Sequence, residues 1–516
     1  MQIRDTAVAT PDKPAVIMYP AGTVVTFGEL EARANRLAHL FRDAGLVEGD
    51  AVALLMENNE HFHAVMWAAR RAGLYYVPIN THLTAAEVAY IVDNSGAKAI
   101  VGSAKLADTL AGLEAELPNG LPQLLLVAGA ELSATSASGG DVDGWQRYPE
   151  CVADKLETPI ADEIDGDLLQ YSSGTTGRPK GIKRELPHLP PAEVPGMMAM
   201  LVEFWMHPDA VYLSPAPLYH TAPSVWSMQV QAGGITTVVM EKFDAEGALD
   251  AIQKYKVTHG QFVPVMFARM LKLPEDVRKS YDVSSLQRVM HAAAPCPVEI
   301  KKQMIDWWGP IVDEYYASSE AHGSTLITAD QWLERPGSVG KPLTGVVHIV
   351  GEDGNELPAG QAGEIYFEGG YDFEYLNDPD KTASSRHPQG WKTVGDIGYV
   401  DEEGFLFLTD RRHHMIISGG VNIYPQEAEN LLVTHPKVMD AAVFGIPDEE
   451  MGQRVKAVVQ LVDQADATEE FADELIGWLR DRLAHYKCPR SLSFEEQLPR
   501  TDTGKLYKQE LIKKYS

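Results

Sequence analysis

Cysteine is scarce: the 516 residues include only Cys151, Cys296 and Cys488, far apart and in no C-x-x-C arrangement. That scarcity argues against a disulfide framework or a zinc site and fits a reducing compartment. Basic residues are also few. Lys and Arg total 44 against 73 Asp and Glu, a formal charge of −29. A surface that acidic repels phosphate backbones and anionic headgroups, so nucleic acid and membrane surfaces are not expected as partners. No apolar run approaches the roughly 18 residues that a membrane helix needs, so no integral membrane segment is expected. Met1-Gln2-Ile3-Arg4-Asp5-Thr6 has no apolar core of a signal peptide. The expected location is the cytoplasm. No internal repeat is visible.

What is present is globular in balance, with 45% hydrophobic and 23% charged residues. At roughly 150 residues per domain the length corresponds to about three units. From Thr26 to Asn80 helix and strand patterns alternate. Leu30, Ala34, Leu37, Ala38 and Phe41 recur at helical spacing, and Gly45 follows as a stop. Ala51 to Met56 is a short apolar run, the mark of a strand buried on both faces. His61 to Ala72 reads as a helix, Leu74 to Pro78 as a strand, and Glu87 to Asp93 with Ala99 to Val101 repeats the pair. Such β-α units argue for mostly parallel sheets covered by helices.

A second α/β stretch runs from Val211 to about Ala317, and the small polar residues at about 130–145 read as an exposed loop. From Ser338 to Leu408 short β-rich runs broken by Gly and Asp-Gly turns predict an antiparallel unit. The last hundred residues predict a small α+β module. Met439 to Gly445 and Val455 to Leu461 alternate as strands, and Phe471 to Leu483 follows as an amphipathic helix. The charge density of Asp410 to His414 predicts an exposed linker before that module.

The densest chemical signal is Tyr171-Ser172-Ser173-Gly174-Thr175-Thr176-Gly177-Arg178-Pro179-Lys180-Gly181. Glycines let backbone N–H groups turn inward, hydroxyls add donors and Lys180 adds a cation, a combination suited to a polyphosphate. It is not a Walker A loop, because Pro179 stands where the second glycine is required.

This loop resembles the phosphate-binding signature of the acyl-adenylate-forming enzymes, most like bacterial acyl-CoA synthetases and fatty-acid–CoA ligases. Further motifs of that superfamily recur in order over nearly the whole chain. Leu218-Tyr219-His220-Thr221-Ala222 resembles the acyl-pocket motif, and Tyr315-Tyr316-Ala317-Ser318-Ser319-Glu320 resembles Tyr-Gly-x-Thr-Glu. Gly395-Asp396 resembles the ribose-binding pair. Asp410-Arg411, followed by Ser418-Gly419-Gly420, resembles the hinge and its following loop. Pro499 to Lys505 resembles the C-terminal lysine motif.

The resemblance implies a role for each of these residues. Ser172, Ser173, Gly174, Thr175, Thr176, Gly177 and Lys180 would cradle phosphate. Ala293, Ala294 and Pro295, with Glu314, Tyr315 and Tyr316, would border the nucleotide, Tyr316 offering a flat face to adenine. Ser319 would donate to the α-phosphate, and Glu320 with Thr176 would hold Mg²⁺. Asp396 and Arg411 would reach the ribose hydroxyls. Lys505 would bridge the attacking carboxylate and the α-phosphate. Ser418, Gly419 and Gly420 would line the path for coenzyme A. His220 would order the acyl carboxylate or gate its pocket, with a structural histidine as the other reading. Likewise Tyr316 reads alternatively as a core tyrosine and Glu320 as a solvated loop carboxylate.

The implied fold is α/β. A large N-terminal portion with parallel sheets and a β-rich subdomain, residues 1–410, is joined by a hinge at 411–414 to a small mobile α+β lid, 415–516. The implied reaction joins a hydrophobic carboxylic acid to CoA through an acyl-AMP intermediate, with ATP, Mg²⁺ and coenzyme A as cofactors and a homodimer as the candidate assembly. Fatty or related apolar acids come first and aryl acids such as cinnamates second. The rivals are an adenylating enzyme with another acceptor and a catalytically silent nucleotide-binding homologue. Three departures stand out: Ala317 replaces a glycine, His413 sits at the pivot, and His291-Ala292-Ala293-Ala294-Pro295-Cys296 replaces a glycine-rich turn.

Overall fold

Apolar runs become strands whose alternate residues feed two different cores. In Ala51–Leu55, Val52 and Leu54 pack with Phe41 and Trp67, while Ala51, Ala53 and Leu55 pack with Val88, Val92 and Leu110. A strand buried on both faces must be apolar throughout, and this one is. The computed structural model describes residues 2–129, 142–172, 179–194, 206–411, 414–418, 421–448, 450–500 and 506–516. Most of the small-residue stretch expected as a loop, 130–141, lies outside them. The described chain falls into two compact units: Met1–Gln261 with Tyr281–Arg288 and Asp372–Thr382, and Phe262–Ser280 with Val289–Tyr371 and Ala383–Ser516.

The first unit contains a six-stranded parallel sheet in the order Gln146–Tyr148, Leu124–Ala128, Ala97–Ser103, Ala51–Leu55, Tyr75–Pro78, Asp167–Leu168. Its helices start where local chemistry dictates. Thr84 and Glu87 form a reciprocal capping box for Ala85–Ser95, and Gly96 ends that helix in the left-handed region at φ 63°. A second run of strands, Val211–Ser214, Thr236–Met240 and Pro14–Tyr19, is also parallel. A small antiparallel sheet of Gln170–Ser172, Lys180–Lys183 and Glu374–Tyr375 completes the unit.

In the second unit, Arg288–His291 runs parallel to Val312–Ala317, whose other edge turns antiparallel to Ser324–Ile327. Beyond it Ser338–Thr344, Leu406–Arg411, Asp396–Val400, Gly363–Glu368 and Val346–Val350 follow in antiparallel order. Gly340 shows why its position needs glycine. Its φ is +96°, and a Cβ there would sit 1.9 Å from the Leu326 carbonyl oxygen. The C-terminal part is a hairpin, Val438–Asp448 with Gly452–Leu461, extended by Ile416–Ser418, Val421–Ile423 and a parallel Ser491–Phe494. The amphipathic helix spans Glu469–Arg480, so it stops short of Leu483. The fold class is therefore α/β, with parallel sheets, a β-rich subdomain and a separate C-terminal α+β domain.

One reading needs correction. Asp410 is not part of an exposed linker: Asp410 and Arg411 end the strand Leu406–Arg411. The Asp410 side chain is 3% exposed and lies 3.6 Å from His414 Nδ1. Its Oδ2 accepts the Gln426 N–H at 3.1 Å in the first turn of the helix Pro425–Leu432. A carboxylate at a helix N-terminus satisfies an otherwise orphaned donor. Charge density reported solvation where the charge is used as a cap. No described helix is long and apolar enough to cross a membrane.

Candidate active site

In the first unit the phosphate-loop motif opens and closes on paired strands. Ser172 stands opposite Lys180 in the antiparallel register, so these two residues of the motif are brought side by side. Ser173, Gly174, Thr175, Thr176 and Gly177 lie outside the described residues. Lys180 donates to Asp378 Oδ2 at 2.7 Å, and the Lys180 hydrogen bond holds the Asp378 carboxyl below its usual range. His220 is the N-cap residue of Thr221–Ala232, where its ring lies 4.6 Å from that of Tyr219. Leu213 and Trp226 are buried.

In the second unit the strand Val312–Ala317 organises the candidate residues. Tyr316 donates its phenol proton to Asp396 Oδ2 at 2.6 Å, and Asp396 stands opposite Arg411 in the neighbouring strand register. The expected adenine platform and the expected ribose carboxylate are thus joined directly. Tyr315, Tyr316 and Ser319 are half-buried, and Glu320 and Asp396 are buried. His322 lies close by, fully buried, with Nδ1 2.8 Å from Ser318 Oγ and its ring edge-on to Phe367 at 5.1 Å. Burial lowers its pKa to about 4, against the opposing pull of the Glu320 and Asp396 charges. His322 is therefore neutral at physiological pH.

Among the described residues, no group of three or more His, Cys, Asp or Glu side chains could hold a metal ion. Glu320 alone fits a cation that keeps waters and takes its other ligands from phosphate, the habit of Mg²⁺. Thr176, the other expected ligand, lies outside the described residues.

The wall expected from Ala293, Ala294 and Pro295 directly follows the strand Arg288–His291, at a parallel-strand carboxyl end. Ala293 has φ +75°, a left-handed conformation that alanine rarely takes. Ala317, where lost glycine freedom was expected to matter, ends an ordinary strand; the positive φ falls instead on Ala293 and, at 54°, on Ala321. Glu314 is 5% exposed and accepts from Lys301 Nζ at 2.7 Å, so its carboxylate already has an internal cation. Phe262 packs with Phe267 and Trp308 at 5.6 and 5.7 Å, and Val263 and Met266 are buried beside it in sequence.

Ser418 is buried and pairs with Val421 in a tight antiparallel register; Gly419 and Gly420 lie outside the described residues. Lys505 also lies outside them. The ends flanking it are paired: Arg500 bridges to Leu506, the Tyr507 N–H donates to the Pro499 carbonyl at 2.8 Å, and the Arg500 guanidinium grips Asp440. The side chain of Arg411 is likewise not described.

The AMP-binding enzyme family matches residues 3–373, and the family of AMP-binding enzyme C-terminal domains matches residues 427–505. The chain belongs to this family. A feruloyl-CoA synthase from an Amycolatopsis species is 33% identical over 497 residues, 96% of this chain and 94% of that protein. A long-chain-fatty-acid–CoA ligase of Mycobacterium tuberculosis is 31% identical, over 100% of this chain and 98% of its own length. The ATP-bound structure of MatB from Rhodopseudomonas palustris is 27% identical and superimposes with a TM-score of 0.77, covering 100% of this chain and 99% of that one. AMP-binding ligases of this kind use ATP and CoA.

Reasoning from the sequence did not find Asp378, His322 or Lys301, and named His291 only as the start of an altered turn. For Lys301 a signal existed: it shares the apolar stripe of Val298–Trp308 with Met304, Ile305 and Trp308, where an unpaired lysine would be costly. Asp378 offered none, lying 198 positions from Lys180.

Proposed function

We propose that this AMP-binding enzyme is an ATP-dependent, AMP-forming acid–CoA ligase acting on hydrophobic carboxylic acids. The observation that carries the reading is the match of both family domains together with acid–CoA ligases spanning the whole chain. The geometry supports it: the Tyr316–Asp396 pair offers an aromatic face and a ribose-accepting carboxylate at one place.

In the first step a carboxylate oxygen attacks the α-phosphorus, the bond to the bridging oxygen breaks, and pyrophosphate leaves. In the second the CoA sulfur attacks the acyl carbon, its thiol proton is released, and AMP departs with the C–O bond electrons. Lys180 and the loop before it would hold phosphate, with Asp378 keeping the lysine oriented until a stronger anion arrives. Glu320 and Thr176 would hold Mg²⁺, which neutralises phosphate charge when bound. Lys505 would stabilise the charge that builds as the carboxylate meets phosphorus. Residues 415–516 would act as a lid turning about 411–414, placing Lys505 for the first step and Ser418 to Gly420 for the second. Exclusion of water protects the mixed anhydride. The enzyme works in the cytoplasm in this reading, consistent with three unpaired thiols.

Aryl acids are the second reading, favoured by the feruloyl-CoA synthase relative. A panel of straight-chain and hydroxycinnamic acids with ATP, Mg²⁺ and CoA decides between the two. Lys505→Ala is expected to slow acyl-AMP formation about 10²–10³-fold while sparing CoA transfer from supplied acyl-AMP. Pyrophosphate exchange at the wild-type rate would remove Lys505 from the mechanism. Failure of every acid to give AMP would leave a silent nucleotide-binding homologue.

A further inference from the structure

Glu314 lies opposite His291 in the parallel strand register and is held by an ion pair to the helix that follows the turn 292–297. His291, the residue before the turn, places Nε2 3.4 Å from Glu314 Oε2, and Lys301, in the helix after it, donates to the same oxygen at 2.7 Å. All three side chains are buried, Lys301 and His291 completely. Lys301 also lies 4.8 Å from the centre of the Trp332 ring. His291 is held neutral by burial and by the Lys301 charge, and neither of its ring nitrogens makes a hydrogen bond. Within the turn, Ala293 sits at φ +75°. Two residues beyond Glu314 on the same face of the strand stands Tyr316.

Two of these features are locally unfavourable. A buried lysine–glutamate pair is often no better than apolar residues of the same volume, because desolvation offsets the attraction. A left-handed alanine costs the equivalent of about tenfold in an equilibrium. Such costs concentrate where the surrounding structure holds a segment for function, and these meet at the carboxyl end of a parallel strand, the ligand-facing edge.

We propose that Lys301 and Glu314 are positioning residues for the nucleotide: their ion pair closes the turn 292–297 and holds Ala293 in its left-handed conformation. The two charges are spent on each other, so the pair acts through the turn and not through a charge offered to the nucleotide. This rests on the reading, given above, that Ala293 to Pro295 border the nucleotide.

The test uses the full-length protein and ATP titrated calorimetrically without acid, so that it does not depend on knowing the substrate. The variant Lys301→Met/Glu314→Gln removes both charges and leaves none unpaired. Its Kd for ATP is expected to rise about tenfold, the cost of losing the left-handed turn, while KM for CoA with supplied acyl-AMP at saturation stays within about twofold of wild type. Adding Ala293→Gly, which removes the cost of the left-handed conformation, is expected to recover most of the lost ATP affinity. An unchanged Kd with a lowered melting temperature would overturn the proposal, since a merely structural pair gives that result. So would a loss that Ala293→Gly does not relieve. Should the double variant not fold, Glu314→Gln alone keeps an acceptor for Lys301 and carries the same test, an unchanged Kd again overturning it. Absence of ATP binding by the wild-type protein would instead overturn the ligase reading itself, and this proposal with it.

Discussion

Two buried charge clusters, one in each unit, are built from the same chemistry and behave in opposite ways. In the first unit Arg71 binds Glu31 through two parallel hydrogen bonds of 2.9 and 2.8 Å, Asn35 adds a third at 3.0 Å, and Arg4 a fourth at 3.3 Å. Burial pushes Glu31 up, but these partners outweigh it and the carboxyl ends below its usual range. In the second unit burial pushes Glu314 up and Lys301 alone does not reverse it. The sign of the shift follows the number of donors and their geometry. An arginine fork satisfies both carboxylate oxygens, whereas a lysine is a point charge serving one. The Glu31 cluster, which supplies donors to both carboxylate oxygens, joins the helices Phe27–Asp43 and Phe62–Arg71. The under-satisfied one borders a left-handed alanine at a sheet's ligand-facing edge.

Breaking the first cluster is the most costly way to test that contrast. Arg71→Met leaves the buried Glu31 with only Arg4 and Asn35 as partners, and breaking a buried pair costs up to about 3–5 kcal/mol. Urea denaturation should report that loss, while the Kd for ATP of the folded variant stays unchanged. A weakened ATP affinity would show that the two clusters do not divide as described.

Acid titration sharpens the comparison next. His322 has a folded pKa of about 4 against 6.5 when unfolded. Below 6.5 the unfolded chain binds a proton that the folded one refuses, so stability present above pH 6.5 is lost as the pH falls toward 4. Between pH 7 and pH 5 this amounts to about 2 kcal/mol. His322→Gln keeps a group able to bond Ser318 and should flatten that part of the stability–pH curve, measured by urea midpoints. An unchanged slope would mean that His322 is not the group responsible. His63, buried in the first unit with a pKa lowered by burial to about 3, adds a similar loss reaching to lower pH, so removing one histidine leaves part of the slope.

The smallest expected effect is a gain. Ala293→Gly removes the left-handed penalty and should stabilise the protein by about 1 kcal/mol, offset partly by the greater freedom of glycine in the unfolded chain. A rise in melting temperature with unchanged ATP affinity in the otherwise wild-type protein is the outcome expected. A fall would mean that the alanine methyl packs usefully enough to outweigh its strain.

Much of the fold was legible because it depends on short windows. The strand at Ala51–Leu55, the helix Phe27–Asp43 and the two long C-terminal strands were all readable from period and from apolar runs. The ordered motifs were enough to name the family, and Tyr316 and Asp396 were both picked out from them. Their contact was not, since they stand 80 positions apart and meet only because Val312–Ala317 and Asp396–Val400 belong to one unit. Asp410 was misread because a window shows charge but not the helix N-terminus it caps.

The sequence by itself determined the element pattern, the acidic charge, the motif order and hence the family and reaction class, all properties of residue type and local spacing. Tertiary structure alone decided which charges meet. Lys180 finds Asp378 across 198 positions, Arg71 finds Glu31 across 40, and Lys301 finds Glu314 across 13. Pairing energy falls off within a few ångströms in solvent, while the separation along the chain carries no information about distance once strands are ordered in a sheet. The left-handed turn at Ala293 belongs with these: its backbone is strained by its own residue type, and only the strands and helix around it explain why it holds.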